Sequence, residues 1–385
     1  MREFLKNYYF WFLLLCVLGA ATYVFSYWDF SGPIEYVSPR VSGNAAEEIP
    51  LPPVKHIETP DAVRGIYVTS WVAGTKSWRD DLVRFIDRTE LNAVVIDVKD
   101  YTGKISFETS DEKLNALGYS EKRIPDIKAF IENLHRKNIY VIGRISVFQD
   151  PHLVKKRPDL AVKTKSGSVW KDRKGISWID PASQEAWDIY VRIGRESEKV
   201  GFDELNFDYI RFPSDGNMSD IAYTFWDGIS KKADVMNNFF AYLDKNLADA
   251  KVPISADVFG LTSSSQNDLN IGQVLENALA NFDYVSPMVY PSHYPTTFLG
   301  YKNPAEHPYE VIKSEMDKAV ARAEAMGQDK NKIRPWIQDF DLGATYDAAK
   351  IELQKKAIYD AGLSGWLSWD PGNHYTKEAY LPIEE

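Results

Sequence analysis

Eight short, β-rich apolar runs separated by helix-like stretches constrain this chain more than any other feature. The runs are 64–70 (RGIYVTS), 92–99 (NAVVIDVK), 140–148 (YVIGRISVF), 204–210 (ELNFDYI), 253–260 (PISADVFG), 283–290 (DYVSPMVY), 333–340 (IRPWIQDF) and 365–370 (GWLSWD). Between them lie amphipathic patterns over 80–89, 124–137, 184–200, 233–248, 308–326 and 348–361. Strands that alternate with helices imply a parallel sheet, and eight such units in about 310 residues predict an α/β fold closed as a (β/α)8 TIM barrel. An open doubly wound sheet is the rival. A nucleotide binder of that kind would carry a Gly-rich phosphate turn, and neither GxGxxG nor a P-loop is present.

The amino terminus has a different character. After Arg2 and Lys6, residues 8–25 are eighteen uncharged, mostly apolar positions, near the length of one bilayer-crossing helix and longer than most signal-peptide cores. The segment is expected to be a signal anchor, a single-pass transmembrane helix with its cationic side in the cytoplasm and the rest of the chain outside the cell membrane. A cleaved signal peptide is the alternative, since Gly19, Ala20 and Ala21 offer small residues to a peptidase. Residues 28–60, rich in Pro, Ser, Gly and Glu, read as an extended linker. The expected organisation is therefore an anchor over 1–27, a linker over 28–60 and a barrel over 61–378. Cys16 is the only cysteine, so no intrachain disulfide can form. The net charge of −10 argues against a nucleic-acid partner.

Chemistry is sought where the strands run out, because barrel enzymes place catalytic groups on the carboxyl-terminal rim. In 204–210 alternate side chains share a face, so Asn206, Asp208 and Ile210 point one way and Leu205, Phe207 and Tyr209 the other. Asp208 would project inward at the strand's end; the structural alternative is a helix cap or a pair with Arg211. Polar residues recur at the other strand ends: Asp97, Lys99 and Asp100; Arg144, Ser146 and Gln149; Asp257; Tyr290 and His293; Gln338 and Asp339; Trp369 and Asp370. Many carboxylates on one rim are costly unless they are paired or do chemistry. Two long connections, 149–181 and 291–307, follow strands and should shape a cleft on the same face.

Glycoside hydrolysis needs two carboxyls on such a rim. Metal-assisted hydrolysis would draw on several histidines, and the six here include no HxH pair. No GxSxG elbow supports acyl transfer. A Schiff-base role would fall to Lys99, whose neighbours Asp97 and Asp100 suggest an ion pair instead. No metal and no cofactor is expected.

The ordered motifs GIYVTSW, VIDVKD, WIDPASQEAW, FDELNFDYIRFP, ISADVFG, SPMVYPSHY, RPWIQDF and GWLSWDPGN resemble the bacterial putative glycoside hydrolase domain family, a TIM-barrel group related to the α-amylase-like clan. The resemblance spans roughly residues 64–375. It implies a nucleophile or base at Asp208, an acid at or near Asp257, and a carboxylate that braces sugar hydroxyls at Asp339. Three positions depart from the clan: Asn206 stands where Arg is common, Asp257 where the acid is usually Glu, and Gln338 where His usually precedes the strand 7 Asp.

The expectation is then a glycoside hydrolase acting on a cell-wall or surface carbohydrate polymer. Asp97, Arg144, Arg211, Tyr290, Asp339 and Asp370 would bind substrate, and Trp71, Trp336 and Trp369 would stack on pyranose rings, while Trp366 packs in the core. The alternative is a non-catalytic glycan-binding or scaffold protein on a degenerate barrel. A metal-assisted deacetylase of the same polymer is a remoter option.

Overall fold

The computed structural model describes residues 55–382. The expected anchor and nearly all of the expected linker lie outside them. Among the described residues no helix is long and apolar enough to cross a membrane.

The eight strands close into a parallel barrel. In chain order they are β1 (Arg64–Val68), β2 (Ala93–Lys99), β3 (Tyr140–Ser146), β4 (Glu204–Asp208), β5 (Ile254–Phe259), β6 (Tyr284–Met288), β7 (Trp336–Gln338) and β8 (Trp366–Trp369). Each pairs with its sequence neighbours, and β8 returns to β1. Helices α1 (Lys76–Ile86), α2 (Ile127–His135), α3 (Gln184–Val200), α4 (Lys232–Leu247), α5 (Leu275–Asn281), α6 (Pro308–Ala325) and α7 (Ala348–Asp360) lie between consecutive strands.

Period-two alternation sorts each strand into two cores. Val94, Ile96, Val98, Leu205, Phe207, Ala256 and Val258 face the helices. Tyr67, Ala93, Val95, Tyr140, Ile142, Trp336 and Leu367 fill the interior. The interior also takes polar layers. At the amino-terminal end Arg334 is ion-paired to Glu204, which accepts the Tyr140 hydroxyl at 3.1 Å. Toward the carboxyl end Asp97, Arg144, Asn206 and Ser255 sit side by side on β2 to β5.

Several expected boundaries move. The helix expected from residue 80 begins at Lys76, and α5 was too short to leave a pattern. β7 shrinks to three residues, preceded by Pro335, which has no N–H to donate. The two long connections follow β3 and β6. A third, 209–231, follows β4, and it pairs with the first: Lys163–Thr164 runs antiparallel to Ile221–Ala222. That short ladder joins two loops above the same side of the barrel mouth.

Candidate active site

One guanidinium organises the barrel mouth. Arg144 leaves β3 toward the interior and donates from Nη1 to Asp97 Oδ1 at 2.6 Å. Its Nε and Nη2 both reach Asp208 Oδ2, the former at 3.1 Å. The ring faces of Trp369 and Tyr67 lie 5.0 and 5.6 Å from its central carbon. Asp97 is further held by the Tyr67 hydroxyl at 2.5 Å, and burial pushes its carboxyl up to about 6 despite Arg144. Asp208 Oδ1 accepts the Tyr209 amide at 2.6 Å. Tyr209 has a left-handed φ of 54°, an uncommon conformation for a bulky residue that turns the chain sharply after Asp208.

Asp257 completes the pair from β5. Its Oδ1 accepts Asn206 Nδ2 at 3.0 Å and Trp336 Nε1 at 2.8 Å, and its Oδ2 lies 3.9 Å from Arg144 Nε. Burial and then the Asp208 charge push this carboxyl up to about 8, against the opposing pull of Arg144 and the two N–H donors. The direction of the shift favours the protonated form of Asp257. With Oδ1 accepting two bonds, the proton resides on Oδ2. A buried acid beside an ion-paired carboxylate is the division of labour that acid-assisted bond cleavage needs.

The two carboxyls line a cleft of about 430 Å³ with Arg211, Phe259, Tyr290 and Trp369, a volume within the usual range of ligand sites. Gly260 lies in the same wall. A Cβ there would come within 2.4 Å of the Tyr294 hydroxyl and 2.5 Å of the Met288 carbonyl oxygen, so the loop can close down only on glycine. A larger hollow, about 700 Å³, opens beside Asp283, Lys332 and Arg334. It lies at the amino-terminal end of the strands, where barrels build stability rather than catalysis.

The expected site residues divide. Asp208, Asp257, Arg144, Arg211, Tyr290, Trp336 and Trp369 line the cleft. Arg144 lines the cleft and gives Nε and one N–H from each Nη to Asp97 and Asp208, so it positions the carboxylate. Asp97 lies behind it. Trp336, at 1% exposure, offers an N–H to Asp257 and no open ring face. Trp369, half-buried and stacked on Tyr67 at 3.8 Å, keeps part of its indole in the cleft wall. Asp339 lies outside the lining; its carboxylate accepts the hydroxyls of Thr376 and Tyr380, both at 2.8 Å. Asp370 caps a turn through the Gly372 and His374 amides. Trp71 stands under the Arg123 guanidinium, outside the cleft lining, and Trp366 is core. Lys99 pairs with Asp150 at 3.1 Å, not with Asp97 or Asp100. Asp208 pairs with Arg144, not with Arg211.

Sequence reasoning missed the donor roles of Asn206 and Trp336 and the presence of Lys174 in the cleft wall. Asn206 was visible as a departure from the clan; its inward face, shared with Asp208, was the signal. Among the described residues no group of His, Asp and Glu is arranged to hold a metal ion.

The chain is a member of the family described as putative glycosyl hydrolase domain, whose match spans residues 65–375. A search of curated proteins finds no match. Among solved structures, a hypothetical protein from Ruminiclostridium thermocellum is 35% identical, covering 50% of this chain and 97% of its own, with a TM-score of 0.46. The PgaB (BpsB) glycoside hydrolase domain of Bordetella bronchiseptica shares the fold at 14% identity, with 83% of this chain and 97% of that one covered and a TM-score of 0.60. The catalytic domain of β-amylase from Paenibacillus polymyxa does so at 10% identity, 85% and 97% coverage and a TM-score of 0.51.

Proposed function

We propose that this protein is a retaining glycoside hydrolase that cuts a cell-wall or surface polysaccharide, held outside the cytoplasm by its amino-terminal segment. The observation that carries the reading is the pair of buried carboxyls in one cleft, Asp208 held by Arg144 and Asp257 held by Asn206 and Trp336 with its carboxyl pushed up by burial and by the Asp208 charge. Asp257 Oδ2 gives its proton to the glycosidic oxygen as that bond breaks, while a carboxylate oxygen of Asp208 bonds to the anomeric carbon. Asp257, now ionised, then takes a proton from water, whose oxygen displaces Asp208. Retention is favoured by spacing. The Oδ2 atoms of Asp208 and Asp257 lie 3.1 and 3.9 Å from one nitrogen, which caps their separation near the lower end of the roughly 6.5–9.5 Å that inverting pairs span around a water.

The test is release of reducing ends from purified wall and surface polysaccharides by the full-length chain, with the first-formed anomer read by NMR. Retained configuration is expected, with kcat/KM falling as pH rises through about 8, where Asp257 loses its proton. Stability follows the same group. Its folded-state pKa is raised, so its contribution is whole below about 4 and lost as pH rises through about 8. Binding of the polymers without any release would instead identify a glycan-binding barrel and overturn the hydrolase reading.

A further inference from the structure

The cleft contains a second guanidinium with no carboxylate in ion-pair distance among the described residues, although Asp208, Asp215 and Asp172 act on it from further away. Arg211 follows β4, is 9% exposed and lines the cleft. Its Nη1 donates to the Phe212 carbonyl and to Ser214 Oγ, both at 3.0 Å. No other hydrogen-bond partner and no ion-paired carboxylate is found for it among the described residues. It is enclosed instead by rings: Phe259 at 4.7 Å, Trp178 at 4.9 Å and Tyr209 at 5.4 Å from its central carbon. Ring faces offset part of the cost of burying a cation, but they leave Nε and Nη2 without acceptors.

The remaining charges sharpen the point. Arg144 is neutralised by Asp97 and Asp208. Asp172, in the loop beside Arg211, accepts Gln149 Nε2 and Trp178 Nε1 and the amides of Lys174 and Ile176. Lys174 is exposed and lines the same cleft, with no carboxylate in ion-pair distance among the described residues. Desolvation and the Lys174 ammonium hold the neighbouring His293 imidazole below its ordinary range, so it adds no charge. A chain of net charge −10 thus keeps two cations in its cleft without a directly paired carboxylate among the described residues.

We propose that Arg211 and Lys174 form a subsite for a carboxylate borne on the sugar chain, and that the substrate is an acidic polysaccharide. A guanidinium with two adjacent free donors fits a carboxylate as a fork, and Lys174 adds a movable point charge at the entrance. The carboxylate could belong to a uronic acid ring or to a lactyl ether on an amino sugar; both present the same group. This inference rests on the hydrolase reading of the same cleft.

The experiment measures binding by calorimetry on the full-length chain carrying Asp257→Asn, which removes the proton donor and keeps the neutral charge of the protonated acid. The probes are oligogalacturonides, peptide-free glycan strands containing N-acetylmuramic acid, and the carboxyl-reduced form of each. At least one acidic probe should bind about tenfold or more tighter than its reduced form, and which one does so identifies the source of the carboxylate. Arg211→Met should abolish that preference and Lys174→Gln should reduce it by about threefold. Equal binding of acidic and reduced probes, no binding of either, or an undiminished preference in both variants overturns the subsite. If Arg211→Met fails to fold, the exposed Lys174→Gln decides alone. Asp208-dependent cleavage of a neutral polymer with no acid preference would sink the subsite and keep the hydrolase. Acid preference without turnover in the unmodified chain would do the reverse.

Discussion

Asp208→Asn should lower turnover by about a thousandfold or more while the barrel stays folded. The amide keeps the shape of the carboxyl, but its single oxygen can accept either from the Tyr209 amide or from Arg144, not from both. What it loses is the charge that attacks or stabilises the anomeric carbon. The measurement is reducing-end release by wild type and variant on the same polysaccharide, with circular dichroism as the control for folding. Wild-type rates in a folded Asp208→Asn protein would remove Asp208 from the mechanism. An equal loss in Asp257→Asn, weaker on substrates whose leaving group needs no proton, would separate the acid from the nucleophile.

Arg144→Met should cost about 3–5 kcal/mol of stability at neutral pH. The substitution keeps an apolar stem beside Tyr67 and Trp369, but leaves Asp97 and Asp208 buried with no cation between them. Asp97 is already pushed up to about 6 with Arg144 present. Without it the carboxyls should take up protons instead of staying charged, so the cost shrinks as pH falls toward 5. Denaturant unfolding at pH 7.5 and pH 5 reads the difference. The same cost at both values would mean that Arg144 serves by its volume and not by its charge.

The barrel was legible because its signals are repeated. Each strand alternates with period two and each is followed by a helix-length stretch, so one misplaced boundary does not alter the closed topology. α5 and β7 escaped because seven and three residues are too few to establish a period. At the site, Asp208 and Asn206 lie on the inner face of β4, where alternation put them, while Asp257 on β5 was reached through the family resemblance and not through alternation. Residues beyond a strand's last ladder bond were not. Asp339 and Asp370 follow β7 and β8, and local turns and the segment after β8 decide where they point. Arg144 shows a different gap. Its inward direction was readable, but its partners come from β2 and β4, and only the register of three strands brings them to one guanidinium.

That shared guanidinium also limits how the site can drift through sequence space. Removing Asp97 frees Arg144 from one of its tethers, removing Arg144 strands two acids, and exchanging Asp208 alters both the tether and the chemistry. Each single change passes through a form worse than its neighbours, so the trio is expected to change together or not at all. Arg211 is bound by no such contract. Held by rings and two neutral acceptors, it can be exchanged in one step without unsettling the acid pair, and the substrate preference of the barrel can change while its reaction does not.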